Sequence, residues 1–230
     1  MRLYQMAILL CMLSCGGMQG PAPSVPIKPD ESGKLQYLAL GDSYTIGQSV
    51  PADDRWPVIL AGELGKAGKA TATPQIVART GWTTRNLLDA LEQNPPTGTF
   101  DAVSLLIGVN NQYQGRNMEE YRVEFSQLLS KAMGYAGGEA GNVFVLSIPD
   151  WGVTPAGEGN RDHIAGEIDR FNAIAQEECV KKKVLFIDIT GISRKALGDP
   201  SLIASDRLHF SGKMYRLWVD EVFPKVKPLF

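Results

Sequence analysis

Asp206-Arg207-Leu208-His209 sets a carboxylate three residues before one of only two histidines in a chain of 230 residues. At neutral pH a serine hydroxyl is a poor nucleophile until an imidazole takes its proton. The imidazole serves best when a carboxylate fixes its tautomer and stabilises the cation it becomes. A matching hydroxyl is Ser43, in Gly41-Asp42-Ser43-Tyr44 directly after an apolar run. Taken alone, Ser43 and Asp42 read more simply as helix or turn caps. Attack on a carbonyl also needs donors aimed at the oxyanion that develops, and losing one typically costs roughly 100- to 1000-fold in rate. Two further segments offer them. Arg79-Thr80-Gly81-Trp82 presents the backbone N–H of Gly81, and Gly108-Val109-Asn110-Asn111 presents the side-chain amide of Asn110.

Groups so far apart in sequence meet only if a framework brings them to one place. Short apolar runs at 35–40, 75–78, 102–107, 142–148 and 184–189 are rich in Val, Ile and Leu and largely continuous, as in strands covered on both faces. Amphipathic stretches at 55–67, 84–93, 118–134, 162–182 and 212–223 alternate with them, the last with Ser211 as N-cap. The class is therefore α/β, with five parallel strands. Parallel strands joined by right-handed crossovers leave their carboxyl ends on one edge, where ligands bind. The Ser, Gly and Asn segments each directly follow a strand.

These four blocks resemble the SGNH (GDSL-like) hydrolase family, whose name records a catalytic Ser, an oxyanion Gly and Asn, and a catalytic His. The likeness extends over nearly all the chain after Lys34. It implies a three-layer α/β/α fold with a flavodoxin-like sheet and a serine esterase that works without a cofactor through an acyl-enzyme. It further implies Ser43 as nucleophile, His209 as base, Asp206 as its orienting carboxylate, and Ser43, Gly81 and Asn110 as oxyanion donors. Activity should fall as the imidazole is protonated, near pH 6.5 for an unperturbed ring. Three positions depart from the family pattern: Tyr44 stands where Leu is usual, Asn111 where Asp is, and Phe210 where Pro often follows the His. None replaces a group the chemistry requires. A lysophospholipase-like lipase and a carbohydrate acetylesterase both fit, with the absence of a long insertion favouring small acyl groups. The reading from another class is an inactive surface lipoprotein that binds glycan or lipid in the same cleft.

Trp151, Trp82 and Arg116 fall on or near loops of the active edge and are candidate substrate contacts, against the plainer readings of a packed Trp and a solvated Arg. His163 sits among charged residues at a helix start and reads as exposed; with no Cys or second His nearby, no metal site is expected. Leu60, Leu64, Leu87, Leu88, Leu91, Phe125, Leu128 and Leu129 have the spacing of core faces. Neither nucleotide-binding glycine motif nor a Gly-x-Ser-x-Gly elbow occurs. A formal charge of −2 gives no footprint for nucleic acid, and Lys181-Lys182-Lys183 reads as a solvated helix end.

At the amino end, Arg2 precedes the apolar stretch 6–13, which closes on small residues. Residues 1–18 are expected to form an export signal, too short to span a bilayer as a helix. Met12-Leu13-Ser14-Cys15 is similar to a bacterial lipobox, making Cys15 a candidate lipidated residue; ordinary cleavage near Gly17 or Gly20 is the alternative. Residues 19–34, with Pro21, Pro23, Pro26 and Pro29, read as an extended tether, and 35–230 as one hydrolase domain. The expected location is the bacterial cell envelope, the periplasm or the exterior, with membrane attachment through an N-terminal lipid. Cys179 has no partner for a disulfide once the leader is removed.

Overall fold

In the computed structural model, which describes residues 33–229, the five apolar runs form one parallel sheet. Its strands are β1 (Tyr37–Gly41), β2 (Gln75–Ala78), β3 (Ala102–Leu106), β4 (Val143–Leu146) and β5 (Leu185–Ile187), in the order β2-β1-β3-β4-β5. The three central strands are buried at every residue, as their unbroken apolar character demands, while the edge strands β2 and β5 are partly exposed. The expected α/β class and five parallel strands are what is observed: β2 matches its apolar run, β3, β4 and β5 are shorter than theirs by up to two residues at an end, and β1 starts two residues later and runs on to Gly41. The leader, the Cys15 site and nearly all of the expected tether lie outside the described residues.

Among the described residues eight α-helices accompany the sheet: α1 (Ser43–Ile46), α2 (Trp56–Lys66), α3 (Thr84–Gln93), α4 (Val109–Tyr113), α5 (Met118–Tyr135), α6 (Arg161–Lys182), α7 (Thr190–Ser193) and α8 (Gly212–Val226). Helices α3, α5 and α6 pack in series, and α2 packs against α8. The leucines assigned to the core from their spacing are fully buried or nearly so. Ser211 caps α8 as expected, its hydroxyl accepting from the Met214 N–H. The helix does not stop at Phe223, however. It continues through Pro224, because a proline in the last turn forfeits a single helical hydrogen bond and the chain resumes with the Lys227 N–H on Phe223 O.

Chain order fixes where a site can form. From β1 the chain crosses to β2 on one side and then returns to β3 on the other, so β1 and β3 are neighbours with diverging connections. At the carboxyl end of such a pair the two loops part and leave a crevice. Ser43 follows β1 and Asn110 follows β3.

Candidate functional site

Ser43 opens the one-turn helix α1, and Asp42 caps it by accepting from the Tyr44 N–H at 3.0 Å. The capping role that the sequence offered for these two residues therefore belongs to Asp42. A side chain on Gly41 would fall 2.2 Å from the Thr45 hydroxyl and 2.5 Å from Leu106 O, so the strand can turn here against β3 only with glycine. Asp42 is fully buried, and its second oxygen, Oδ2, has no hydrogen-bond partner among the described residues. Burial raises its carboxyl from 3.8 to about 7, only partly offset by the Tyr44 amide.

On the far loop, Asp206 organises the turn that carries His209. Its Oδ1 accepts from the amides of Leu208 and His209, both at 2.9 Å, and its Oδ2 lies 2.7 Å from His209 Nδ1. The carboxylate thus shapes the backbone and holds the ring with one group, which is what the three-residue spacing allows. Burial opposes its ionisation, but hydrogen bonds from Ser49, the two amides and the His209 ring outweigh that and hold the carboxyl well below the usual range. With Nδ1 turned to Asp206, Nε2 is the ring nitrogen left for a substrate or nucleophile. The pairing Ala204 N–H to His209 O, 2.8 Å, and the bridge between Ile203 and Phe210 brace this loop.

Ser43, Asn110, Trp151 and His209 line one cavity of about 160 Å³, together with Tyr44, Val109, Tyr113 and Leu208. Ser43 and His209 are 4% and 8% exposed, so the two side chains sit in a largely desolvated hollow. Asn110 donates through Nδ2 to Trp82 O at 2.9 Å, which uses one of its two amide hydrogens and leaves the other available. Gly81 occupies the third position of a tight turn closed by the Trp82 N–H on Arg79 O, with φ of 84°. That conformation suits a glycine, and the Gly81 N–H is not spent on the turn's own bond.

Behind these loops lies a buried set of polar groups. Asn111 accepts from the Thr84 N–H at 3.0 Å and donates to the Thr84 hydroxyl at 2.7 Å, and that hydroxyl donates to Glu124. Asn110 and Asn111 thereby tie the segment after β3 to Trp82 and Thr84, where the loop after β2 enters α3. Trp151 is anchored as well: its indole N–H donates to Gln112 Oε1, and Gln112 in turn donates to Glu167, both at 2.8 Å.

Two of the candidate substrate contacts lie elsewhere. The Trp82 side chain borders a different hollow with Gln75, Val77 and Pro95, and contributes to the cavity region only its carbonyl on Asn110. Arg116 is exposed and does not line the cavity. Tyr113, which sequence reasoning passed over, does line it, 65% exposed and edge-on to Trp151 at 5.3 Å. His163 is exposed on α6 and lies 3.4 Å from Glu167.

The model of the GDSL-like Lipase/Acylhydrolase family matches residues 39–217, a span that holds all four blocks. The chain belongs to this family. It is a carboxylic ester hydrolase of the GDSL/SGNH type. No curated protein sequence matches it. Among solved structures it is similar in fold to a lipase/acylhydrolase from Enterococcus faecalis, with TM-score 0.62 and 21% identity over 84% of this chain and 96% of that one. It is likewise similar to a catalytic mutant of the acetylxylan esterase Axe2 from Geobacillus stearothermophilus, with TM-score 0.64 and 18% identity over 84% and 94%. The psychrotrophic esterase EstA from Pseudoalteromonas sp. aligns with TM-score 0.61 and 18% identity over 85% and 98%.

Proposed function

We propose that this GDSL-family hydrolase cleaves short-chain carboxylic esters, acetyl groups on carbohydrate foremost, through an acyl-enzyme on Ser43. His209 Nε2 takes the Ser43 proton as Oγ attacks the carbonyl carbon, and Asp206 holds the ring in the productive tautomer and stabilises its cation. The N–H groups of Ser43 and Gly81 and the free amide hydrogen of Asn110 receive the oxyanion. As the tetrahedral intermediate collapses, the C–O bond to the alcohol breaks and His209 returns the proton to the departing oxygen. Water then repeats the sequence on the acyl-enzyme, releasing the acid and restoring Ser43.

The observation that carries this reading is the His209 Nδ1 to Asp206 Oδ2 contact of 2.7 Å on a ring that shares its cavity with Ser43. The preference for a short acyl group rests on size, since an apolar cavity of about 150 Å³ takes a molecule no larger than benzene. The carbohydrate side rests on Tyr113 and Trp151, two aromatic rings at the mouth, one well exposed, that offer apolar faces to the C–H surface of a sugar. An acetylxylan esterase among the structures of like fold agrees with this choice.

Hydrolysis of p-nitrophenyl esters from acetate to dodecanoate by the full chain tests it, beside release of acetate from an acetylated xylooligosaccharide. The expected optimum is acetate to butyrate; an optimum at eight carbons or longer would contradict the proposal and favour a lysophospholipase-like role. No turnover of any ester together with saturable glycan binding would favour the inactive binding protein instead. We further propose export and lipid attachment at Cys15, on the strength of residues 2–15 alone. Metabolic labelling with a radioactive fatty acid should mark the wild type and not Cys15→Ser.

A further inference from the structure

Ser49 lies six residues beyond the candidate nucleophile, on an exposed loop, and its hydroxyl donates to Asp206 Oδ2 at 2.5 Å. This is the same oxygen that meets His209 Nδ1. With Oδ1 taken by the Leu208 and His209 amides, the carboxylate is fixed from three directions, and Ser49 supplies the one contact that comes from the other end of the chain. The loop reaches it by a sharp return. Gly47 ends α1 in the left-handed region, Gln48 N–H donates to Ser43 O, and Ser49 itself has φ of 65°. A serine in that region is strained where a glycine is not, and strain of this kind persists when the surroundings hold it in place. The Val50 N–H on Gly47 O closes the backbone turn around Ser49, and the side chain this turn presents is the one bonded to Asp206.

We infer that Ser49 is a positioning residue for hydrolysis, acting through Asp206 on the orientation and basicity of His209. This rests on the triad reading proposed above. A donor on Oδ2 shares the charge that the imidazolium would otherwise draw on alone, and it locks the carboxylate plane against the ring. Ser49 does not line the cavity, so substrate binding should not feel its loss.

Three substitutions separate the hydroxyl from the backbone. Ser49→Ala removes the hydroxyl and keeps the strained φ; Ser49→Gly removes the hydroxyl and relieves the strain; Ser49→Thr keeps the hydroxyl and adds a branch that the left-handed region tolerates poorly. With p-nitrophenyl acetate, Ala and Gly should lose the same factor in kcat, roughly 10-fold as for one charge-assisted bond, with KM unchanged. Their Tm values should nonetheless differ, Gly the higher by about 2–4 °C. Thr should keep most of the wild-type kcat although its Tm falls. The acid limb of kcat/KM should move to higher pH in Ala and Gly alike, a change that loosened packing alone does not produce.

The inference is overturned if Ala and Gly match wild-type kcat, or if kcat follows Tm so that Gly restores what Ala loses. His209→Ala run alongside tells the two failures apart. An inert His209→Ala with fully active Ser49 variants removes only the role of Ser49, whereas a fully active His209→Ala removes the triad reading and this inference with it.

Discussion

Asn111 and Glu124 meet on a single hydroxyl, that of Thr84, which accepts from Asn111 Nδ2 at 2.7 Å and donates to Glu124 Oε2 at 2.5 Å. A hydroxyl has one proton to give. With Glu124 taking it, the group at position 111 must be a donor on that side, and the departure from the usual family Asp becomes a requirement of this chain.

Asn111→Asp would place two carboxylates around one hydroxyl, both residues being buried. One of the two must then hold a proton in the native state, which the unfolded chain does not need at neutral pH, so stability falls as pH rises. We expect a loss of about 2–4 kcal/mol at pH 8, smaller at pH 5, and recovery in Asn111→Asp/Glu124→Gln. Urea unfolding at the two pH values checks this.

Asp42 gives a second pH signature. Its carboxyl is raised from 3.8 to about 7 by burial, so between those values the native state holds a proton that the unfolded chain has released. Stability should decline as pH climbs through that window and reach its full deficit above pH 7. Asp42→Asn keeps an acceptor for the Tyr44 amide and carries no charge. It should be more stable than wild type at pH 8 by a few kcal/mol at most, and the gap should shrink to about a third at pH 5 and close below about pH 4. A gap that is the same at both pH values would show that Asp42 is not protonated in that range.

The departures at 44 and 210 explain one another. Tyr44 and Phe210 pack with ring centroids 5.8 Å apart, both against Trp218, and Tyr44 also stands edge-on to the His209 ring at 5.6 Å. Tyr44→Leu removes an aromatic wall of the cavity. It should cost about 1–3 kcal/mol of stability and move the acyl-chain optimum toward longer esters, which the p-nitrophenyl series reads directly.

Trp151→Ala should leave kcat on p-nitrophenyl acetate within about threefold of wild type. On an acetylated xylooligosaccharide it should raise KM about 10-fold, the loss of one aromatic stacking partner being worth roughly 1–2 kcal/mol. Equal effects on both substrates would place Trp151 at the acyl side instead.

How far the sequence spoke depended on what kind of signal each residue leaves. Strands and long helices were legible because burial on both faces or on one stripe writes a period into the chain, as for 84–93, matched to the residue by α3. Ser43, Gly81, Asn110 and His209 could be singled out as candidates because each stands near a strand end or just before the last helix. The one-turn helices α1 and α4 were not, since four or five residues carry no period. Ser49 left no mark either: it is an exposed serine whose importance lies in a φ of 65° and a partner 157 residues away. That Trp82 borders a second hollow, apart from the one Ser43 lines, leaves no mark in the sequence, because its place on an active-edge loop does not say which side it faces. Glu124 reads as one more charge on an amphipathic helix, and only the fold turns it inward to Thr84.

Every step proposed for hydrolysis begins at Ser43 as an activated nucleophile. The direct measurement is covalent labelling with a p-nitrophenyl alkylphosphonate, read by intact mass and peptide mapping on wild type, Ser43→Ala and His209→Ala, each checked for folding by circular dichroism. The expected result is one adduct per chain in the wild type, mapped to Ser43, none in Ser43→Ala, and labelling at least about 100-fold slower in His209→Ala. A folded, ester-hydrolysing wild type that takes no label, or takes it at another residue, would contradict it.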